Sequence, residues 1–439
     1  MNPKTVLVLG ASGLIGRFVT DDLRARGVRV VGVARSLAPA QTMGALDIEL
    51  PILALDTAAL KRFLGEHSVD IVVNCLGVLQ DGPGSSTGAV HRDFVARLLQ
   101  AVAGSGRAVR LVHISIPGTA DADRTAFATT KREAERLIAA SGVPYAILRP
   151  GFVVAPSAYG GSAMLRALAA CPLDLPETEM ATSFQPVAVE DISATIAWLA
   201  ARDIGDASVK AVAWDLMQLE PVTMAGVIKQ FRHALGTAGW PLAAIPSFML
   251  DLGAKIGDLA STLGWASPMR STAIAELRRG VRGDPSAWIA ATGIAPKTLA
   301  EGIGRHPATI QDKWFARLFL VKALIFASLV AFWIVSGFIA LFVSYRAAAG
   351  ILIAHDFPPA LVDPITIGTS LMDISIGLLI VFRRTAAVGL VAGIVASLGY
   401  MAGAAILKPD LWVEPLGALV KTGPAIMLML VALLMLDNR

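Results

Sequence analysis

Four long apolar runs in the last third of the chain constrain its fold more than any other feature of the sequence. A helix needs about 20 residues to cross a hydrocarbon core of about 30 Å. The runs are Leu318–Val343, Ala360–Phe382, Thr385–Leu407 and Leu416–Leu436. Buried helices of a soluble domain are the alternative, but such helices seldom combine this length with so few charges. The runs therefore predict an all-α bundle of four transmembrane helices.

The composition supports this division of the chain. Of its 439 residues 55% are hydrophobic, and the mean hydropathy is +0.63, whereas soluble proteins contain roughly 45–50% apolar residues. We place the domains at residues 1–235, 236–314 and 315–439. The net charge of +4 requires no nucleic-acid partner. With only Cys75 and Cys171 as cysteines, we expect neither a disulfide framework nor a cysteine-based metal site.

Basic residues near the apolar runs predict an orientation. Lys313 and Arg317 precede the first run and Arg383–Arg384 separate the second from the third, whereas Arg346 and Lys408 stand alone on the other side. The positive-inside rule then places both termini in the cytoplasm. The chain also opens without the pattern of a signal peptide. We therefore expect a multi-pass protein of the cell (inner) membrane, with a cytoplasmic N-terminal domain.

The opening stretch "TVLVLGASGLIGRFVTDDLRARGVRVVGVARS" reads as strand, glycine turn, helix and strand. Gly10, Gly13 and Gly16 lie on the turn, where missing side chains let backbone N–H groups approach a pyrophosphate. A turn without a ligand is the alternative. Further strands are expected at Ile52–Leu55 and at residues 69–77, 110–115 and 145–150. These six strands predict a Rossmann-like, doubly wound parallel sheet of the α/β class.

The end of the second strand indicates which dinucleotide binds. An acidic residue there normally accepts the ribose 2′-OH of NAD, but this sequence has Arg35 in that place, and Arg17 follows the last glycine. Two guanidinium groups suit a 2′-phosphate. The pattern therefore favours NADP(H), and the alternative is that both arginines are ordinary surface residues.

Together these motifs resemble the short-chain dehydrogenase/reductase superfamily in its atypical, extended-like branch. The resemblance covers about residues 1–235 and includes "NCLG" at 74–77, "HIS" ending at Ser115, "FATTK" at 127–131 and "QPVAVEDISATI" at 185–196. It is nearest to the dehydrogenase-like accessory subunit of respiratory complex I. The cofactor-binding residues that it implies are Gly10, Ser12, Gly13, Leu14, Ile15, Gly16, Arg17, Arg35, Asn74, Gly77 and Lys131. The apolar part, with "WIVSGF" and "DISIGL", resembles the DoxX-like four-helix family.

In that superfamily a Tyr-x-x-x-Lys pair and a serine carry the chemistry. The phenol passes a proton to the substrate oxygen, and the lysine binds the nicotinamide ribose and lowers the phenol pKa. Carried over to this sequence, the resemblance assigns Ser115 and Lys131 to the catalytic site, but Phe127 stands where the tyrosine should be. The ring is retained and the proton donor is lost. The resemblance therefore predicts cofactor binding and leaves ordinary carbonyl reduction in doubt.

Two further features carry predictions of their own. Asp373 lies near the middle of the second apolar run and Lys421 about two turns into the fourth. Ionisable residues at such depth usually face a partner, so we predict that the two pair, either as a structural ion pair or as part of a proton or quinone site. The segment 236–314 shows helical spacing at Phe248, Leu252 and Ile256. It forms either a small helical subdomain over the substrate cleft or an amphipathic helix on the membrane surface.

The sequence leaves two functions open. The first is a membrane-anchored NADP(H)-dependent oxidoreductase that acts on a quinone or another lipid-borne substrate. The second is a non-catalytic protein in which bound NADPH is structural, assists assembly or reports redox state to a membrane protein. Phe127 is the residue that separates them, because quinone reduction can take its proton from water whereas carbonyl reduction relies on the phenol.

Overall fold

The computed structural model describes residues 4–37, 46–82, 86–240, 242–407, 409–413 and 417–436. Lys408 and the first residue of the fourth predicted run, Leu416, lie outside the described residues. The chain divides into two units. The first comprises Met1–Asp258 and Pro268–Ala316, and the second comprises Leu259–Ser267 and Arg317–Arg439.

A seven-stranded parallel sheet forms the centre of the first unit. Its strands are β1 (Thr5–Leu9), β2 (Arg29–Ala34), β3 (Asp47–Glu49), β4 (Ile71–Asn74), β5 (Arg110–Ile114), β6 (Tyr145–Pro150) and β7 (Ala211–Leu216). Their order across the sheet is β7-β6-β5-β4-β1-β2-β3, and every neighbouring pair is parallel. The predicted doubly wound sheet is confirmed. The order reverses between β1 and β4, where folds of this kind bind ligands at the carboxyl ends of the strands.

Helices cover both faces of this sheet. The helices on the sheet are α1 (Leu14–Ala25), α2 (Thr57–Glu66), α3 (Phe94–Ala103), α4 (Ala126–Ala140) and α7 (Val189–Ala201). Three others, α5 (Gly161–Ala169), α6 (Glu177–Met180) and α8 (Met224–Leu235), pack in a separate core. Successive side chains of a strand point to opposite faces. Val6 and Val8 accordingly enter one core with residues of α1 and α7, whereas Leu7 and Leu9 enter a second core with residues of α2, α3 and α4.

One strand prediction is wrong, and two strands were not predicted. Ile52–Ala54 form a single helical turn after Pro51, and the edge strand is β3, which pairs with Gly32–Ala34. A short apolar run cannot distinguish a strand from a helical turn, and Asp56, which caps α2 by accepting from the Ala59 N–H, leaves too little chain for a strand. The seventh strand, β7, was not predicted. It extends the sheet beyond β6.

Short strands and four more helices complete the described part of the first unit. The strand pairs are Phe152–Val154 with Pro186–Ala188, Ser183–Phe184 with Val222–Thr223, and Leu173–Asp174 with Ala243–Ala244. The helices are α9 (Ser247–Thr262), whose last turn belongs to the second unit, α10 (Ser271–Arg279), α11 (Ser286–Thr292) and α12 (Leu299–Gly304). A third core joins α8, α9 and α10 through Phe231, Leu250 and Ile274.

The second unit is helical. Its helices are α13 (Ile310–Phe338), which begins in the first unit, α14 (Tyr345–Ala354), α15 (Pro359–Val381), α16 (Ala386–Leu407) and α17 (Ala418–Leu434). Three described stretches, Ile310–Val343, Pro359–Val381 and Ala386–Ile406, are long and apolar enough to cross a membrane. They coincide with the first three predicted runs. The fourth run forms the shorter apolar helix α17, and α14 was not predicted.

The predicted pair of Asp373 and Lys421 is not formed among the described residues. Instead, the Tyr400 hydroxyl donates to Asp373 Oδ1 at 2.9 Å, and Lys421 is exposed near the start of α17. The prediction used only depth along the helices. The rotation of each helix about its axis decides which neighbour a side chain faces, and a lysine near a helix end can extend its ammonium toward the interface.

Candidate functional site

The glycine turn between β1 and α1 is shaped for close approach of a ligand. Gly10 has φ +83°, which favours glycine. A Cβ on Gly16 would stand 2.2 Å from the Gly10 carbonyl oxygen, so any side chain there would displace the turn. Gly13 caps α1 without a side-chain hydrogen bond. The first-turn N–H groups of α1 therefore face outward without a capping side chain among the described residues, which suits a bound pyrophosphate.

The loop after β4 lies against this turn. A Cβ on Gly10 would be 3.3 Å from the Cys75 backbone. Asn74 is 1% exposed and holds the loop from below, because its Oδ1 accepts from the Leu76 N–H at 3.1 Å and its Nδ2 meets His113 Nδ1 at 3.2 Å. From its buried position, Asn74 therefore fixes the conformation of the loop Asn74–Gly77.

Lys131 projects from α4 into this edge of the sheet. Its side chain is buried, and Nζ donates to the carbonyl oxygens of Ile114 (2.8 Å) and Leu76 (3.3 Å). A Cβ on Gly77 would be 3.6 Å from Nζ. Burial lowers the pKa of Lys131 to about 8, although Cys75 and Glu135 act in the opposite direction. The ammonium thus ties β5, the loop after β4 and α4 together.

Phe127 lies one helical turn before Lys131, in the first turn of α4, and its ring meets the His91 ring edge-on with centroids 5.7 Å apart. His91 is 1% exposed. Its Nε2 accepts from the Val78 N–H at 3.1 Å, and its Nδ1 lies 2.9 Å from Thr130 Oγ1. Burial first, and then Lys131, lowers the pKa of His91 to about 3. His91 is therefore neutral with both ring nitrogens engaged, and it does not replace the missing phenol as an acid.

Ser115 follows β5 at the same edge and is 5% exposed. Its backbone N–H donates to the Leu148 carbonyl oxygen at 2.8 Å, which anchors it between β5 and β6. Near it, Glu135 accepts from Arg149 Nε at 2.9 Å and Nη2 at 2.7 Å. Burial raises the pKa of Glu135, but the hydrogen bonds from Arg149 and Ser115 and the charges of Arg149 and Arg132 together hold that pKa below its usual value.

Arg132 extends this ionic cluster to the loop after Ser115. It contacts Glu135 and Asp123, and it donates to the carbonyl oxygens of Pro117 (3.0 Å) and Gly118 (2.6 Å). Arg279 of α10 reaches the same place, donating to the Pro117 carbonyl oxygen at 2.7 Å and pairing with Asp123. The cluster therefore fixes the loop beside the candidate catalytic serine.

Arg17 and Arg35 are both exposed, and neither guanidinium has a hydrogen-bond or ion-pair partner among the described residues. An acidic side chain does lie near the end of β2, but it comes from β3: Glu49 Oε1 accepts from the Leu37 N–H at 2.7 Å. Asp47, also on β3, is paired with Arg24. The sequence motif did not reveal Glu49, because only the pairing of β2 with β3 brings it there.

The structure thus brings the glycine turn, the Asn74–Gly77 loop, Ser115 and Lys131 to one edge of the sheet. Their roles in catalysis and cofactor binding stay predictions. His91, Glu49 and Glu135 were missed. The sequence pattern could have revealed His91, because it lies in the helical segment Gly88–Asp93 that leads into α3 and is buried at helical spacing with Phe94, Val95 and Leu98.

Comparison with protein-family models divides the chain in the same way. Residues 6–218 match the NAD dependent epimerase/dehydratase family, and residues 330–430 match the DoxX-like family. The chain therefore joins an NAD-binding domain of the short-chain dehydrogenase/reductase type to a DoxX-like domain with apolar helices. The predicted fusion is confirmed, and the closer resemblance to the complex I subunit stays a prediction.

Two relatives share part of the sequence of this chain. The dTDP-6-deoxy-L-talose 4-dehydrogenase (NAD(P)(+)) of Kitasatospora kifunensis is 32% identical over 112 residues, which are 26% of this chain and 35% of that protein. The 3-diazoavenalumate denitrifying reductase of a Streptomyces species is 32% identical over 200 residues, 39% of this chain and 64% of that protein. The chain thus spans about a third and just under two thirds of these relatives.

Solved structures agree with the fold. The UDP-glucuronic acid 4-epimerase of Bacillus cereus, in complex with UDP-glucuronic acid and NAD, is 14% identical and superposes with a TM-score of 0.52, covering 72% of this chain and 99% of that chain. WbmG of Bordetella bronchiseptica, in complex with NAD, is 17% identical with a TM-score of 0.53, covering 72% and 96%. At these identities the likeness shows the fold alone.

Proposed function

We propose that this chain is a membrane-anchored NADP(H)-binding oxidoreductase that reduces a quinone or another lipid-borne acceptor. The glycine turn keeps a tight shape in which its backbone can approach a dinucleotide, because a Cβ on Gly16 would clash with the Gly10 carbonyl oxygen. Arg17 and Arg35 are exposed cations beside the turn and the end of β2, and they fit a 2′-phosphate. These observations support NADP(H) over NAD(H).

One observation carries the choice of substrate: Lys131 is retained in a buried position, whereas Phe127 has no hydroxyl. The lysine can hold a nicotinamide ribose. None of the four tyrosines lies on α4, the helix that carries Lys131: Tyr145 begins β6, Tyr159 precedes α5, and Tyr345 and Tyr400 belong to the second unit. A substrate whose reduction depends on a positioned acid is therefore disfavoured.

Quinone reduction does not depend on a positioned acid. When bound, the dinucleotide supplies a hydride, and one proton from water completes the conversion of the quinone to a hydroquinone. The chain then needs only to position the two reactants and exclude competing ones. Lys131 orients the ribose. His91 packs edge-on against the Phe127 ring, and that ring offers an apolar surface on which an aromatic acceptor can stack.

Stopped-flow oxidation of NADPH by a soluble quinone analogue tests the proposal on the purified full-length protein. We expect NADPH absorbance to decay in a saturable, protein-dependent manner, and simple aldehydes and ketones to be left essentially unreduced. Lys131→Ala should abolish the quinone reaction through weaker NADPH binding. If no quinone analogue accelerates NADPH oxidation, the oxidoreductase proposal fails.

Phe127→Tyr sharpens this test because it adds one oxygen at the helical spacing that the chain already has. A positioned general acid contributes typically 10²–10⁴-fold, so we expect carbonyl reduction to emerge while NADPH affinity stays unchanged. Phe63→Tyr is the matched control, since Phe63 lies in α2, away from this edge. Brisk ketone reduction by the unmodified protein would show that another acid serves the site.

The same missing hydroxyl favours a second function, in which NADPH is bound without turnover and has a structural, assembly or redox-sensing role toward a membrane protein. Tight NADPH binding without oxidation by any quinone analogue would support this alternative. A difference in the protein's limited proteolysis between NADPH and NADP⁺ would then distinguish a redox sensor from a structural cofactor site.

We further propose that the N-terminal domain and both termini are cytoplasmic, because Arg383–Arg384 lie between α15 and α16 and basic residues favour that side. A membrane-impermeant thiol reagent applied to intact cells should leave Arg384→Cys unmodified and should modify Arg346→Cys. Both replacements carry one new thiol, so the pair controls for reactivity. The reverse pattern would overturn this orientation.

A further inference from the structure

Helix α9 carries an unpartnered apolar stripe. Phe248, Leu252, Ile256 and Leu259 follow one another at intervals of three or four residues, and their exposed fractions are 69%, 53%, 58% and 63%. Such spacing places them on one face of the helix. Single exposed leucines are ordinary, but a contiguous apolar patch marks a surface that contacts something.

The opposite face of α9 packs against other helices of the first unit. Leu250 and Ala254 are buried in the core that also contains residues of α8 and α10. The two acidic residues of the helix form ion pairs with residues outside it, Asp251 with Arg278 and Asp258 with Arg270, although the Asp251 side chain stays half exposed. The apolar stripe is therefore a fixed feature of a docked helix, and its rotation about its own axis is set by packing.

The segment after α9 continues into the unit that holds the apolar helices. Leu259–Ser267 belong to that unit. The Trp265 Nε1–H donates to the Val381 carbonyl oxygen at 2.7 Å, and the Arg383 N–H donates to the Leu263 carbonyl oxygen at 3.1 Å. Val381 is the last residue of α15. The C-terminal end of α9 is therefore tied to the end of a helix long and apolar enough to span a membrane, and tryptophan is enriched at that depth.

We propose that α9 is an interfacial membrane helix that lies in the plane of the bilayer surface, with its apolar stripe among the lipid chains. At a rise of 1.5 Å per residue, its 16 residues span about 24 Å. Lys255 is exposed one turn from both Leu252 and Leu259, where its stem can lie along the lipid and its ammonium can meet a lipid phosphate.

The charges favour lipid as the occupant of the stripe. Of the charged residues of α9, Asp251 and Asp258 are neutralised by ion pairs with arginines, whereas the cationic Lys255 is exposed beside the stripe, and anionic headgroups attract cations. The hydrogen bonds of Trp265 and Leu263 with Val381 and Arg383 also hold the C-terminal end of α9 at the end of α15. The inference rests on membrane insertion of the second unit and on no property of the dinucleotide site, so it can fail while the proposed enzymatic function stands.

Site-directed spin labelling of the full-length protein tests it. Single cysteines replace Leu252 or Ile256 in a background with Cys75 and Cys171 changed to alanine, and the labelled protein is reconstituted in vesicles of phosphatidylethanolamine and phosphatidylglycerol. Collision with oxygen, which enters lipid, is compared with collision with a nickel chelate, which stays in water. Gln230→Cys, exposed on α8, provides the aqueous reference, and Val395→Cys, 63% exposed on α16, provides the lipid reference.

We expect the ratio of oxygen to nickel collisions at positions 252 and 256 to exceed the ratio at 230 several-fold and to approach the ratio at 395. Ratios equal to that at 230 would overturn the proposal. Spectral broadening that disappears on dilution with unlabelled protein would also overturn it, since it would assign the stripe to a second copy. If the cysteine-free background does not fold, a diazirine phospholipid in vesicles of the unaltered protein should label peptides from α9 and none from α8, and labelling of neither would refute the inference.

Discussion

Lys131 gives the sharpest prediction about the dinucleotide site, because its protonation should control cofactor affinity. The ammonium is buried, and burial lowers its pKa to about 8. One pH unit above that value, only about one lysine in ten is still charged. Affinity for NADPH should therefore be constant below pH 8 and should fall about tenfold for each further pH unit, until the worth of the charged hydrogen bonds, roughly 1.5–3 kcal/mol, is lost.

Neighbouring groups do not titrate in that window. Burial raises the pKa of the Cys75 thiol to about 12, the pKa of His91 is lowered to about 3, and burial holds that of His113 well below its usual value. Glu135 is ionised throughout, because its pKa is lowered. A fall in affinity centred near pH 8 would therefore report on Lys131 itself.

The same pKa shift has the opposite effect on stability. The unfolded chain holds the lysine proton up to about pH 10.5, whereas the folded chain releases it near pH 8. Between these values the unfolded state binds more protons, so the contribution of Lys131 to the free energy of unfolding rises with pH, by about 3 kcal/mol in all. General alkaline unfolding would lower both the NADPH affinity and the free energy of unfolding. A fall in affinity together with a rise in the free energy of unfolding therefore identifies Lys131 as the cause.

Calorimetric titration of NADPH into the full-length protein at constant ionic strength measures the first effect, and chemical unfolding at the same pH values measures the second. Lys131→Met should bind NADPH weakly at every pH and should be more stable than the unmodified protein near neutral pH. Lys229→Met, which replaces an exposed lysine of α8, should change neither profile. A flat affinity profile in the unmodified protein, or the same pH profile in Lys131→Met, would refute the reasoning.

Three further predictions concern charged groups elsewhere. Arg35→Ala should remove most of the preference for NADPH over NADH, because a hydrogen bond to a charged group contributes roughly 1.5–3 kcal/mol, which is about tenfold or more in affinity. Equal affinities for NADPH and NADH in the unmodified protein, in which Arg17 and Arg35 are both present, would contradict this prediction. Glu49→Gln keeps the acceptor for Leu37 and removes a negative charge near the end of β2, so isothermal titration should show tighter NADPH binding and unchanged NADH binding. For Asp373 and Tyr400, thermal unfolding in detergent of Asp373→Asn, Tyr400→Phe and the double variant should give non-additive losses, whereas simple addition would show that the hydrogen bond contributes nothing.

The sequence was sufficient for features that depend on local chain geometry. The glycine spacing predicted the turn between β1 and α1. Position 16 requires glycine there, since a Cβ on Gly16 would lie 2.2 Å from the Gly10 carbonyl oxygen. Apolar length located the three helices that can span a membrane. The sequence also predicted that Phe127 and Lys131 lie one turn apart on one helix, and α4 contains both without interruption.

Features that depend on distant neighbours escaped prediction. Glu49 comes beside the end of β2 only through strand pairing, so a motif that inspects β2 alone finds no acid. Asp373 faces Tyr400 because of helix rotation, which sequence depth does not encode. The stretch from Ile52 to Leu55 has the composition of a strand, but β3 already occupies the sheet edge and Pro51 starts a helical turn.

His91 shows how the two kinds of information combine at the site. The sequence alone establishes that Phe127 has no proton to donate, but it cannot say whether a neighbouring acid takes over. The structure answers through hydrogen bonding: the Val78 N–H occupies Nε2 and Thr130 Oγ1 faces Nδ1, so donating a proton would break a buried contact and leave a polar atom unpaired, at about 1–3 kcal/mol. His91 therefore holds its proton, and any carbonyl reduction gained by Phe127→Tyr is attributable to the restored phenol.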